Sequence, residues 1–196
     1  MLERLISNPQ SGQIIHSNIH KPFNFKCPND VINKEDAAFD NIKMIPCQSA
    51  NAYDLDYYKS DMNGIYPNFT SPRGLALIIN NHRFKSMSDR TGTDVDKENL
   101  RILFRKLDYK TVEYTDLTGQ EMLSTIKGFG RLEEHKTYHS TIVCVLTHGD
   151  NNALVGVDDN KVDVNEFIAT LNNGNCPNLS QKPKLFFIQA CRGGKI

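Results

Sequence analysis

The sequence predicts an α/β sandwich around a mostly parallel sheet. Two observations carry this. Short continuous apolar runs recur, as a strand covered on both faces requires, and between them apolar residues return at helical spacing. Leu75-Ala76-Leu77-Ile78-Ile79 is the first such run. A polar loop from Asn80 to Gly92 comes next. Thr93-x-x-Asp96 then resembles a capping box, with Asp in place of Glu, and opens a helix with Leu100, Leu103, Phe104 and Leu107 on one stripe. Thr111 to Thr115 alternates, with Val112 and Tyr114 on one face, and reads as the second strand. Thr118-x-x-Glu121 is a full capping box, and Met122, Ile126 and Phe129 form the stripe of the second helix. Ile142 to Leu146 is another buried strand. Ala153 to Asp163 reads as a hairpin turning at Asp159-Asn160. Asp163-x-x-Glu166 starts a short third helix with Phe167 and Leu171 inward, and Leu185 to Ile188 is the last core strand.

Upstream of Gly74 sustained periodicity is missing. Residues 1–50 read as mostly disordered and 51–72 as an irregular lead-in with surface tyrosines. Lys plus Arg and Asp plus Glu are both 23, so the net charge is zero. Such a chain has no global electrostatic reason to bind nucleic acid or an anionic membrane. No apolar run reaches the roughly 18 residues of a membrane span. The start, Met1 to Ser7, is too short and too charged for a secretory leader. Five cysteines, Cys27, Cys47, Cys144, Cys176 and Cys191, are widely spaced without a C-x-x-C. That argues against a disulfide framework or zinc site and for a reducing, cytoplasmic setting. His16 and His20 lack a third ligand. The stretch ending at Glu166 puts Val155 and Val157 where calcium needs oxygen. No metal and no cofactor is expected.

In an open α/β sheet, ligands bind at the carboxyl ends of the strands. Thr147-His148-Gly149-Asp150 lies just after one core strand, and Gln189-Ala190-Cys191-Arg192-Gly193-Gly194 just after another. If those strands are neighbours, an imidazole can meet a thiol and generate the nucleophilic thiolate. Cys144, in mid-strand, reads as a packing residue; Cys27, Cys47 and Cys176 lie in loop-like sequence with no catalytic role.

Gln189-Ala190-Cys191-Arg192-Gly193 matches the caspase signature Q-A-C-[RQG]-G, with His148 upstream. From Arg73 to Gly193 the chain resembles the caspases, cytosolic cysteine endopeptidases that cut after Asp. The resemblance also rests on Asn80-Asn81, on Arg90 to Asp96, on Thr147-His148-Gly149 and on Lys182 to Ile188. Val155 to Asp159 looks closest to the nematode cell-death members. The resemblance implies a caspase-like three-layer sandwich, here its large-subunit half, over 73–196, preceded by a propeptide-like segment over 1–72. It implies that Cys191 attacks the scissile carbonyl, that His148 carries the proton, and that the N–H groups of Gly149 and Cys191 hold the oxyanion. Arg90 and Gln189 would grip the substrate Asp, and the backbone carbonyl of Ser88 would orient His148. Implied partners are proteins with Asp at the cut, a caspase small subunit in a dimer of heterodimers, and adaptor or activator proteins.

The sequence reaches Ile196, three residues past the signature. The family's small subunit, with a second Arg for the Asp pocket, is absent from it. Two functions stand as expectations: an apoptotic zymogen's cysteine endopeptidase, incomplete as this chain alone; or a truncated, non-catalytic chain that regulates by pairing with caspase subunits.

Overall fold

A computed structural model describes residues 66–68, 70–150 and 152–190. The expectations for residues 1–50, for most of the lead-in, and for Cys191 and the residues after it lie outside the described residues. The elements run β1 (Gly74–Asn80), α1 (Thr93–Lys106), β2 (Tyr109–Thr115), α2 (Gly119–Gly130), a 3-10 turn (Glu133–Lys136), β3 (Ser140–Leu146), β4 (His148–Asp150), β5 (Ala153–Val155), β6 (Lys161–Asp163), α3 (Val164–Ala169), a 3-10 turn (Pro177–Leu179) and β7 (Lys184–Gln189).

The main sheet has the order β2-β1-β3-β7, with every neighbouring pair parallel. β1 and β3 are buried along their whole length, as their unbroken apolar runs require. Side chains alternate between the two faces. Leu75, Leu77, Ile79, Val143 and Val145 pack with Met122, Ile126 and Phe129 of α2 and with Phe167 and Leu171. Ala76, Ile78, Ile142, Cys144 and Leu146 meet Leu100 and Phe104 of α1 on the other face. Helices thus cover both faces, giving three layers. Each fully buried Leu, Ile or Phe here contributes roughly 1.5–3 kcal/mol.

The capping box at Thr118 forms: its hydroxyl accepts from Glu121 N, and the Glu121 carboxylate accepts from Thr118 N. The one at Thr93 does not. Gly92 is the cap residue, at φ 84°, with no side-chain cap bond, and Thr93 is already helical. The Thr93 hydroxyl donates to Asn80 Oδ1 instead. The hairpin expected over 153–163 forms as β5 and β6, with Asp159 in the left-handed region. β4 joins it as a third strand, although its three residues carry no strand pattern in the sequence. Among the described residues β7 pairs with β3 alone and lies at the sheet edge, and Leu185 to Ile188 are half-buried.

Part of the lead-in is anchored to the sheet. Ser140 Oγ donates to Asn68 Oδ1 at 2.8 Å.

Candidate active site

The chain leaves β1 toward β2 on one side of the sheet, while β3 lies on the other side of β1. This is the switch point where α/β folds open a crevice beyond the strand ends. The register aligns those ends: Asn80 lies level with Thr115 and Leu146, and Leu146 with Gln189. Three of the expected site residues, Arg90, His148 and Gln189, leave this one edge.

Two buried side chains fix the strand ends. Asn81 accepts from Leu117 N at 2.9 Å and donates to Leu117 O at 3.1 Å and Thr147 Oγ1 at 3.2 Å. Thr147 in turn donates to Val155 O at 2.6 Å. One carboxamide therefore joins β1, the segment entering α2, and the exit of β3. An unpaired polar group at this depth would cost about 1–3 kcal/mol, so satisfying all of them rigidifies the base of the crevice.

The loop from Asn81 to Arg90 is held at intervals. Asp116 Oδ1 accepts from His82 N at 2.7 Å and Arg83 N at 3.0 Å. Lys85 N donates to Val157 O at 2.9 Å, and Arg90 N to His82 O at 3.0 Å. So constrained, the loop carries the Ser88 carbonyl to 2.8 Å from His148 Nε2. A carbonyl can only accept, so Nε2 carries the proton. In the neutral ring Nδ1 is then the basic nitrogen. The Phe84 ring lies tilted against the imidazole, centroids 4.5 Å apart, and limits its rotation. Gly149, next in β4, is buried and pairs with Leu154.

Arg90 sits between the loop and the sheet. Its Nη1 donates to Thr93 Oγ1 at 2.8 Å and Asn81 O at 3.3 Å, and its Nη2 lies 3.4 Å from Gln189 Oε1. Because Gln189 accepts from Arg90 through its oxygen, its amide N–H groups can be offered to a ligand. A guanidinium beside amide donors suits a carboxylate.

Cys144 behaves as a packing residue. It is buried against α1, and desolvation pushes its thiol up to about 12. Such a thiol supplies no thiolate at neutral pH. Burial likewise raises the thiol of Cys176, which donates to Thr170 O at 3.3 Å. Cys191 lies outside the described residues. Sequence reasoning missed Asn80, Asn81, Thr93, Thr147, Phe84 and Asp116 as parts of the site. The first four lie at strand and helix ends and within the motifs that carry the family resemblance, but neither signal gave them a role.

A model of the caspase domain family matches residues 73–196. The chain is similar to cell death protein 3 of Caenorhabditis remanei, 47% identical over 133 residues, covering 68% of this chain and 26% of that protein. It is 40% identical over 141 residues to caspase-2 of Gallus gallus, covering 70% of this chain and 33% of the relative. To caspase-8 of Mus musculus it is 37% identical over 160 residues, 76% of this chain and 33% of the relative. The chain thus spans about a quarter to a third of the length of these relatives.

Proposed function

We propose, from the premise that the chain belongs to the caspase family, that it is the large-subunit portion of a cysteine endopeptidase of programmed cell death that cuts after Asp. His148 Nδ1 takes the thiol proton of Cys191, and the thiolate sulfur attacks the scissile carbonyl carbon. The C=O electron pair moves to oxygen, which the N–H groups of Gly149 and Cys191 hold. Collapse breaks the C–N bond, and His148 gives its proton to the leaving amine. Water, deprotonated by His148, then splits the thioester, releasing the acid and restoring the thiol. Arg90 and Gln189 read the substrate carboxylate.

The observation that carries this reading is the backbone anchor on His148. Its Nε2–H is committed to Ser88 O at 2.8 Å, which leaves Nδ1 to act as base without any carboxylate partner. The nearby guanidinium and amide supply the matching specificity.

The remaining parts of the reading come from the family. A small subunit adds its strand beside β7, whose apolar residues Leu185 to Ile188 stay half-buried here. The assembled enzyme is a dimer of heterodimers, recruited by adaptor or activator proteins in the cytoplasm. Among the described residues no helix is long and apolar enough to cross a membrane. The segment before residue 73 is a propeptide and lead-in, and the propeptide is removed by a cut after Asp36, where Ala37-Ala38 are small residues on the leaving side. N-terminal sequencing of the mature chain should start at Ala37, and a start inside β1 would contradict removal of a propeptide.

The test compares peptides ending in Asp, Asn and Glu, using the chain assembled with a caspase small subunit. Only the Asp peptide should be cleaved efficiently. Equal turnover of the Asn peptide would overturn the carboxylate pocket.

A further inference from the structure

We propose that Thr93 is a positioning residue for substrate recognition, acting through Arg90 as the last link of a buried hydrogen-bond chain. The inference rests on Arg90 reading the substrate carboxylate and extends that role to residues that touch no substrate.

The chain can be followed atom by atom, and its chemistry fixes its direction. Asp94 is an acceptor only, and its Oδ1 receives Asn80 Nδ2 at 2.9 Å. The Asn80 amide is thereby turned so that its Oδ1 faces the Thr93 hydroxyl, which donates to it at 2.6 Å. With its proton committed, Thr93 Oγ1 can offer only lone pairs, and it accepts from Arg90 Nη1 at 2.8 Å. A carboxylate at one end thus sets the orientation of every group up to a guanidinium at the other. His82 Nδ1, 3.3 Å from Asp94 Oδ2, and Lys97 steady the carboxylate.

A second observation is that the hydroxyl has no capping task. Side-chain caps come from the residue before the first helical one, here Gly92, whereas Thr93 already lies in the helix. Here α1 begins without any side-chain cap, from Gly92 in the left-handed region, while the Thr93 hydroxyl turns inward. Asn80 and Thr93 are 0% and 2% exposed, so the bond between them is shielded from water. A positioned guanidinium loses less freedom when it forks onto a carboxylate, which is where the benefit to binding arises.

The test uses the chain assembled with a caspase small subunit and peptides ending in Asp or Asn. Thr93→Val keeps the shape and removes the hydroxyl. It should lower kcat/KM for the Asp peptide about tenfold, mostly through KM, as expected for a hydrogen bond to a charged group. The Asn peptide, which Arg90 does not read as a charge, should change little. Thr93→Ser should restore the Asp preference to within about twofold. In an Arg90→Ala background Thr93→Val should add nothing. Asp94→Ala, at the exposed end of the chain, should give a smaller loss in the same direction, and it serves if Thr93→Val does not fold.

Equal losses on both peptides, an additive double mutant, or an unchanged Asp preference in a folded Thr93→Val would overturn the inference. So would an unchanged preference in Asp94→Ala with Thr93→Val unfolded. If Arg90→Ala erases the Asp preference while Thr93→Val leaves it intact, only this inference fails. If Arg90→Ala itself leaves the preference intact, the reading of Arg90 fails and this inference with it.

Discussion

At the amino ends of the strands, three polar side chains close on themselves. Tyr109 OH lies 2.6 Å from Ser140 Oγ, Ser140 donates to Asn68 Oδ1, and Asn68 Nδ2 turns back to Tyr109 OH at 3.5 Å. At the carboxyl ends the corresponding groups form an open chain. Asp94, Asn80 and Thr93 lead to Arg90, and Ser88 leads to His148. Both ends bury polar atoms, and both satisfy them. The difference is where the hydrogen bonds terminate. A closed ring stabilises a corner of the fold and leaves nothing to offer. An open chain instead ends on Arg90 and on the imidazole of His148, whose Nδ1 is the basic nitrogen once Nε2–H is committed to Ser88 O. The comparison predicts that substitutions at the two ends separate turnover from stability.

The largest separation belongs to the nucleophile. Cys191→Ala in the assembled enzyme should lower peptide turnover by about 10⁶ while leaving the thermal midpoint unmoved. Progress curves with excess enzyme check the first, and calorimetry the second. Arg90→Ala comes next. Losing its contact with the substrate carboxylate should cost ~2–5 kcal/mol of transition-state binding for Asp-ending peptides, measured as kcat/KM. Its effect on unfolding in urea should be much smaller.

At the opposite end the pattern should reverse. Tyr109→Phe removes the hydroxyl partner of a buried Ser140 and breaks the ring. It should cost about 1–2 kcal/mol of stability, read from urea unfolding, with kcat/KM unchanged. A loss of turnover without a loss of stability there would erase the distinction between the two ends.

The smallest effect is a response to acid. His135, fully buried in the turn leading into β3, uses Nε2 on Phe129 O at 2.9 Å and leaves Nδ1 without a partner. Burial holds its pKa below the usual histidine value, the Phe129 carbonyl opposes this, and the Lys182 ammonium lowers it further. Burial lowers His139 as well. The unfolded chain therefore binds protons first as pH falls. The stability from the neutral rings is fully present above about pH 6.5 and is lost below it, by at most about 1.4 kcal/mol per pH unit for each histidine. Urea midpoints from pH 7.5 to 5.5 should fall, and His135→Gln should flatten the slope. Midpoints that rise on acidification would reverse the assignment.

The two ends also differ in how far they could be read from sequence. The core strands β1 and β3 were legible because burial on both faces demands unbroken apolar runs, and α2 because its capping box is satisfied locally. α1 misled at its first residue: the Thr93 hydroxyl serves a tertiary partner, Asn80, and no local pattern records that. β7 was legible as a strand from its apolar run, but a strand's composition does not state how many neighbours it has. His148 and Gln189 could be placed at one edge because each stands at the carboxyl end of an apolar run, and Arg90 through the family resemblance. Ser88 acts through its carbonyl, which every residue type possesses, so only the resemblance pointed to it. The polar ring of Asn68, Tyr109 and Ser140 spans 72 residues of sequence and left no periodic trace.

The central claim is that one thiol is the nucleophile and that an Asp carboxylate brings the substrate to it. Treating the chain, assembled with a caspase small subunit, with a peptide halomethyl ketone ending in Asp tests both parts at once. Peptide mapping should find the adduct on Cys191, with Cys144 and Cys176 unmodified and with labelling suppressed in Arg90→Ala. An adduct on Cys144 or Cys176, or labelling of Cys191 that proceeds equally with an Asn-ending reagent, would contradict the account.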